Sequence, residues 1–213
     1  FSYSKNKVLY KDEVEPKYEY LRQTGKPIGQ YFGHTVLRYY LPDDFTTIDG
    51  VRVLNPDLPQ PQYPVQPGDF MYWDRNDDGV IDTFDEGPIG RSKIPRFVYN
   101  FTFGLNFRNF DFSMMWQGVG KRDWYPAKES GYFWGQYGRP YSMALPWHNS
   151  DRWSPTNRGA YWPRLVGYSA SDSGLILAQP NTRYVQDASY IRLKNLTIDY
   201  NFPKELVNKI GLQ

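Results

Sequence analysis

The sequence has no cysteine and only two histidines, His34 and His148. The first absence excludes a disulfide framework and thiolate metal sites. The second, with no Gly-x-Ser-x-Gly elbow, leaves little from which to build a Ser/His/Asp or zinc centre. No window approaches the ~18 consecutive apolar residues of a transmembrane helix. The N-terminus also lacks the basic, apolar and small-residue succession of a signal peptide. Charge of one sign is missing as well: 25 Lys and Arg stand against 23 Asp and Glu, for a net +2. The basic residues are scattered, so nucleic acid is not an expected partner. Helical periodicity never persists beyond a few turns. Paired carboxylates for glycoside hydrolysis find no dense cluster except an acidic loop with a better explanation, and no enzyme activity is expected.

What the chain has is rings and turn residues. Aromatics make up 18% of it, with 19 tyrosines, yet the mean hydropathy is -0.70. Seventeen prolines and 18 glycines punctuate it, which is an all-β pattern. Residues 55–68 are proline-rich and read as an extended loop. From Phe97 to Phe107, Phe97, Tyr99, Phe101, Phe103, Leu105 and Phe107 alternate with Val98, Asn100, Thr102, Gly104 and Asn106. A turn at Arg108–Asn109 follows, and Phe110, Phe112, Met114 and Trp116 alternate with Asp111, Ser113 and Gln117, which predicts a tight hairpin. The pattern returns at Leu196, Ile198, Tyr200 and Phe202 against Asn195, Thr197, Asp199 and Asn201, until Pro203 ends it. Residues 203–211 read as a short amphipathic turn or helix with Gly211 as its C-cap. Residues 1–10 and about 29–41 are weaker strand candidates.

Alternation of this kind fits a soluble sandwich, whose strands also have a dry and a wet face. Two features favour a transmembrane barrel. The polar sides carry Asn, Thr, Asp and Gln suited to a water-filled lumen, with rings near strand ends. The connections alternate between short and very long, the longest running over about 118–183. In that reading Asn100, Thr102, Asn106, Gln117, Asn195, Thr197 and Asp199 face the lumen.

Residues 74–86 read DRNDDGVIDTFDE. Asp74, Asn76 and Asp78 take positions 1, 3 and 5 of an EF-hand-like calcium loop. Gly79 supplies the turn, the Val80 carbonyl is a seventh-position ligand, and Asp82 falls at position 9. Asp85 stands at position 12 in place of Glu, with Glu86 beside it. No flanking helices are evident, so a complete EF-hand is not expected; the loop reads as a structural Ca2+ site or as an Asp/Asn/Gly-rich turn without an ion. The long loop offers Trp124, Tyr132, Trp134, Tyr137 and Arg139 as candidates to stack on or hydrogen-bond a ligand. The plainer reading is that the loop packs on itself or on a cap.

Five segments in order, GKPIGQYFG (25–33), PGDFMYWDRNDDGVID (67–82), IGRSKIPRFVYNFTFGLNFRNFDFSMMWQGVGK (89–121), RWSPTNRGAYWPRL (152–165) and SYIRLKNLTIDYNFPKELVNKIGL (189–212), resemble the SusC/RagA family of TonB-dependent transporters. The resemblance implies part of an antiparallel barrel, 22-stranded when complete, in the outer membrane of Bacteroidetes, with long extracellular loops. It implies nutrient import, of oligosaccharide or peptide, with a SusD-like surface lipoprotein as cap and TonB as energy source. The expectation is therefore that residues 1–213 are barrel without plug or final strands. Residues 66–90 are then an external loop with the acidic segment, and 118–183 a second one. The alternative is a secreted, calcium-stabilised β-sandwich that binds carbohydrate; it would bury the Phe97–Phe107 aromatic face against a second sheet.

Overall fold

The computed structural model describes residues 1–127, 130–137, 143–166 and 179–209. Its dominant element is an antiparallel sheet in the order β1 (Ser2–Tyr3), β10 (Phe97–Phe107), β11 (Phe110–Gly120) and β14 (Tyr190–Tyr200). Each of the last three is 11 residues long. At about 3.3 Å per residue that is roughly 36 Å, which at a tilt of about 45° covers the ~25 Å apolar band of an outer membrane.

β10 and β11 pair without interruption from Phe97↔Gly120 to Phe107↔Phe110. Arg108 makes the turn with φ 53, a left-handed conformation that costs an L-residue about 1–2 kcal/mol. At this end of the sheet the Asn109 amide reaches the Asn201 carbonyl at 2.6 Å, and the Asn201 N–H returns to the Asn109 carbonyl at 2.7 Å.

β14 begins five residues earlier than the sequence reading placed it, because its register shifts between Met115 and Trp116: Met115 faces Asn195, and Trp116 faces Leu193. Lys194 is the extra residue of a bulge, and it switches the parity of the strand. Ile191 and Leu193 thereby join Leu196, Ile198 and Tyr200 on the apolar face. On that face Tyr99 lies over Gly118, where a Cβ would meet the Tyr99 ring at 2.3 Å. The Tyr99 hydroxyl donates to the Tyr190 carbonyl at 3.2 Å, so the glycine lets one ring brace the third strand.

The other strands are short and pair off in twos. They are β2 (Tyr31–Gly33) with β9 (Gly87–Ile89), β3 (Val36–Tyr39) with β7 (Phe70–Tyr72), and β4 (Phe45–Ile48) with β5 (Val51–Leu54). β6 (Gln60–Pro61), inside the proline-rich stretch, pairs in parallel with β8 (Val80–Ile81), and β12 (Asp123–Trp124) pairs with β13 (Gln186–Asp187). Of the weaker strand candidates, 1–10 reduces to β1, and 29–41 resolves into β2 and β3. A helix spans Lys204–Lys209 where a turn or helix was expected; Gly211 lies outside the described residues.

Two long excursions, 4–96 and 121–189, leave the same end of the sheet, while the short Arg108–Asn109 turn closes the other. They share one core. Tyr39, Phe70, Tyr72 and Ile81 of the first pack with Trp134, Tyr137, Trp153, Trp162 and Tyr184 of the second. Residues 66–90 hold β7, β8 and β9 and belong to this cap. Among the described residues many rings collect on a sheet face or in a ring-rich core, while others such as Tyr10 and Trp73 stay exposed.

Candidate functional site

The sheet presents two chemically opposite faces. Cross-strand pairing puts Asn100 with Gln117 and Arg192, Thr102 with Met115 and Asn195, Gly104 with Ser113 and Thr197, and Asn106 with Asp111 and Asp199. All seven residues expected on the polar side share this face. Arg192 donates to Gln117 at 3.3 Å, and Asp111 accepts from Asn106 and, at 2.7 Å, from Asn201. The opposite face holds Phe101, Phe103, Leu105, Phe107, Phe110, Leu196 and Ile198, all exposed; Phe107 and Ile198 reach 63% and 65%. None of these belongs to either buried cluster of the described residues. Among the described residues no second sheet covers them, as a sandwich would need. An apolar face of this size left open on a soluble domain would drive association.

Where sheet meets cap, Arg91 ties the excursions together. Its backbone N–H and Nε donate to the two carboxylate oxygens of Asp123 at 2.6 and 2.7 Å, and Nη2 reaches Asp187 at 2.6 Å. Gly90 runs so close, with φ 57, that a Cβ would stand 2.6 Å from Asp123 Oδ2. Asp123 is buried. Arg91→Met strips it of its guanidinium partner, and an under-satisfied buried carboxylate costs about 1–3 kcal/mol. The expected result is faster tryptic cleavage of the cap in the intact protein, with the β10–β11–β14 sheet still protected.

In the acidic loop, Asp74 accepts from the N–H groups of Asp78 and Gly79 at 3.3 and 2.7 Å. Asn76 accepts from Asp78 at 3.1 Å, and Asp78 from Val80 at 3.0 Å. Gly79 turns the chain with φ 80, and Asp77 also takes a left-handed φ of 57. Asp82 caps Phe84 at 2.7 Å. Asp85, fully buried, accepts from Arg75 and Asp82 at 2.8 and 2.9 Å, and burial pushes its carboxyl up. Each oxygen keeps a second lone pair. However, among the described residues no three His, Cys, Asp or Glu side chains are gathered to hold a metal ion. The loop closes on its own amides, with Glu86 turned toward His34 at 3.8 Å.

His34 is one of several buried titratable groups, and sequence reasoning gave it no role. It stacks on Tyr72 at 4.7 Å, and desolvation lowers its pKa from 6.5 to about 4, against the opposing pull of Asp82. A folded-state value below the unfolded one means the neutral ring supports the cap fully above pH 6.5. That support is lost as pH falls toward 4. The melting temperature should drop over that window, and less so in His34→Gln; an equal drop in both would refute the assignment.

Of the rings expected to meet a ligand, Trp134 and Tyr137 are core residues, 0% and 1% exposed. Trp134 donates its Nε1 to the Ala127 carbonyl at 2.9 Å, and the Tyr137 hydroxyl donates to Pro163 at 2.8 Å. They are buried because each ring finds ring partners: Trp134 meets Tyr184 edge-on at 4.7 Å, and Tyr137 stacks on Trp162 at 5.5 Å. No ring face is left for a ligand. Trp124 remains exposed at 40% and meets Phe133 edge-on. The Tyr132 side chain and Arg139 lie outside the described residues. Trp153 and Trp162 are buried and Tyr161 is half-buried, as self-packing requires.

No family model matches the chain. It is similar to two TonB-dependent receptors of Formosa agariphila. One is 33% identical over 147 residues, covering 68% of the chain and 13% of the relative; the other is 30% identical over 228 residues, covering 100% and 20%. The chain thus spans a fifth or less of the length of these relatives. Among solved structures it resembles one of the RagAB peptide importer, in its open-open state, with a TM-score of 0.44 and 14% identity over 84% of the chain and 16% of the importer chain.

Proposed function

We propose that the chain, a segment of a TonB-dependent receptor, is of the SusC/RagA type and that the whole protein is an outer-membrane importer, driven through TonB, for an oligosaccharide or peptide nutrient. In this reading β10, β11 and β14 are barrel wall. Their Phe101–Ile198 face turns to lipid, and the row from Asn100 to Asp199 turns to the lumen. The cap stands on the outer side, where a SusD-like lipoprotein would deliver ligand. TonB would engage a part of the receptor outside these residues.

The observation that carries the reading is the open apolar face beside a continuous polar one, with both long excursions at a single end. Closed barrels alone allow such a sheet to sit in lipid, because every backbone group must find a partner there. The test is uptake of the nutrient by cells carrying the receptor, with and without TonB, and co-purification of the neighbouring lipoprotein. Equal uptake in both strains would overturn the importer reading.

Calcium at the acidic loop belongs to the same proposal. Its support is the spacing of Asp74, Asn76, Asp78 and the Val80 carbonyl around the Gly79 turn; Asp82, Asp85 or Glu86 would complete the shell of six or more oxygens. The ion would brace the cap. Calcium is expected to raise the cap's melting temperature in the purified receptor, and Asp74→Asn with Asp78→Asn to abolish the rise. A loop content with its own amides would show no calcium-dependent shift.

A further inference from the structure

We propose that a cleft between β3, residues 158–159 and residues 182–183 binds a saccharide carrying an anionic group, a carboxylate or a sulfate. Its physiological role as cargo recognition rests on the importer reading above; the binding itself does not. The cleft has a volume of about 360 Å³, within the roughly 300–1,000 Å³ usual for small-molecule sites.

Three arginines line it, Arg38, Arg158 and Arg183, and no Asp or Glu is among its lining residues. Arg38 is neutralised by a bidentate pair with Asp44 at 2.5 and 2.8 Å. The other two are anchored without being neutralised. Arg183 donates to the carbonyls of Tyr161 and Ala160 at 3.1 and 2.5 Å, and its guanidinium stands 5.2 Å from the Tyr161 ring centre. Arg158 is exposed and donates its Nε to the Pro155 carbonyl at 3.3 Å. Among the described residues neither has a carboxylate partner. Two uncompensated planar forks at one cleft call for an oxyanion, since a guanidinium matches carboxylate and sulfate geometry with paired N–H donors.

The rest of the lining selects what carries the anion. Tyr39 and Phe70, stacked at 5.1 Å, give an apolar wall. Side-chain acceptors are few: Thr182 Oγ1 already takes the Val36 N–H at 3.0 Å, and the Tyr39 hydroxyl faces the Tyr161 carbonyl at 2.9 Å. A peptide brings amide N–H groups that need acceptors. Sugar hydroxyls accept as readily as they donate, so a cleft whose side chains are mainly donors suits an acidic sugar better.

The test uses the whole receptor, with its co-purifying partner, in detergent. It is titrated calorimetrically with a galacturonate oligomer, a sulfated galactan oligomer, a neutral oligomer of the same length and an acidic peptide. At least one anionic sugar should bind about tenfold or more tighter than the neutral one, with affinity falling as salt rises. Arg158→Ala should remove about tenfold of that affinity with the melting temperature unchanged, and Arg158→Lys should restore part of it, a point charge replacing a fork. Equal binding of the neutral oligomer, unaltered affinity in Arg158→Ala, or acidic peptide binding as tightly as either sugar would overturn the proposal. Anionic binding without TonB-dependent uptake would fail the importer reading and leave the site standing.

Discussion

Phe103→Arg is expected to destabilise the membrane-inserted receptor by about 2–4 kcal/mol, the cost of a cation on a barrel's lipid face near the bilayer midplane. Phe103 sits near the middle of β10, 39% exposed on the apolar side, with Phe112 edge-on at 6.2 Å on the neighbouring strand. The control is its neighbour. Thr102 points to the opposite face, in the row with Met115 and Asn195, so Thr102→Arg places the same charge in an aqueous lumen. The measurement is urea-induced unfolding in lipid vesicles, read by the heat-modifiable gel shift of folded barrels. The first variant should lose most of its folded band at urea concentrations the second withstands. Equal loss would mean the two faces share one environment, and the wall assignment would fall.

That contrast rests on what the sequence makes readable. A period of two is local, so the faces of β10 and β11 follow from alternation alone. β14 was readable only from Asn195 onward. Its first half has apolar residues at 191 and 193, out of phase with 196 and 198, and only the partner strand reveals that Lys194 absorbs the mismatch. The cap was not readable at all as a unit. Tyr39 and Tyr184 share a core but are separated by most of the chain, and no periodicity links them. Each piece is too short and irregular to display a face, so its rings look like free ligand-binding groups. For the same reason the cleft arginines were passed over: Arg38, Arg158 and Arg183 converge only after the two excursions pack. The acidic loop is the reverse case, since the turn at Gly79 is encoded within 13 residues and is observed, while among the described residues its carboxylates are not gathered.

Trp134 separates the two roles an aromatic loop can play. Trp134→Ala is expected to destabilise the cap by about 3–5 kcal/mol, the usual cost of removing a buried tryptophan. The ring is 0% exposed, with Tyr125, Phe133 and Tyr184 around it, and its Nε1–H satisfies the Ala127 carbonyl. Truncation leaves a cavity among aromatic walls too rigid to collapse into it, plus one carbonyl without its donor. The measurement is protection of the cap from protease in the intact receptor, with Trp124→Ala as comparison. Trp124 is 40% exposed and should lose little stability. Were Trp134 a ligand-stacking ring, its loss would weaken binding while leaving protease protection intact. The structure requires the opposite order: the cap opens first, and any loss of ligand follows because the Arg158–Arg183 cleft is built on the same core through Tyr39 and Phe70. Trp134→Phe, which keeps a ring in the cavity, should then recover part of the protection and of the ligand affinity together.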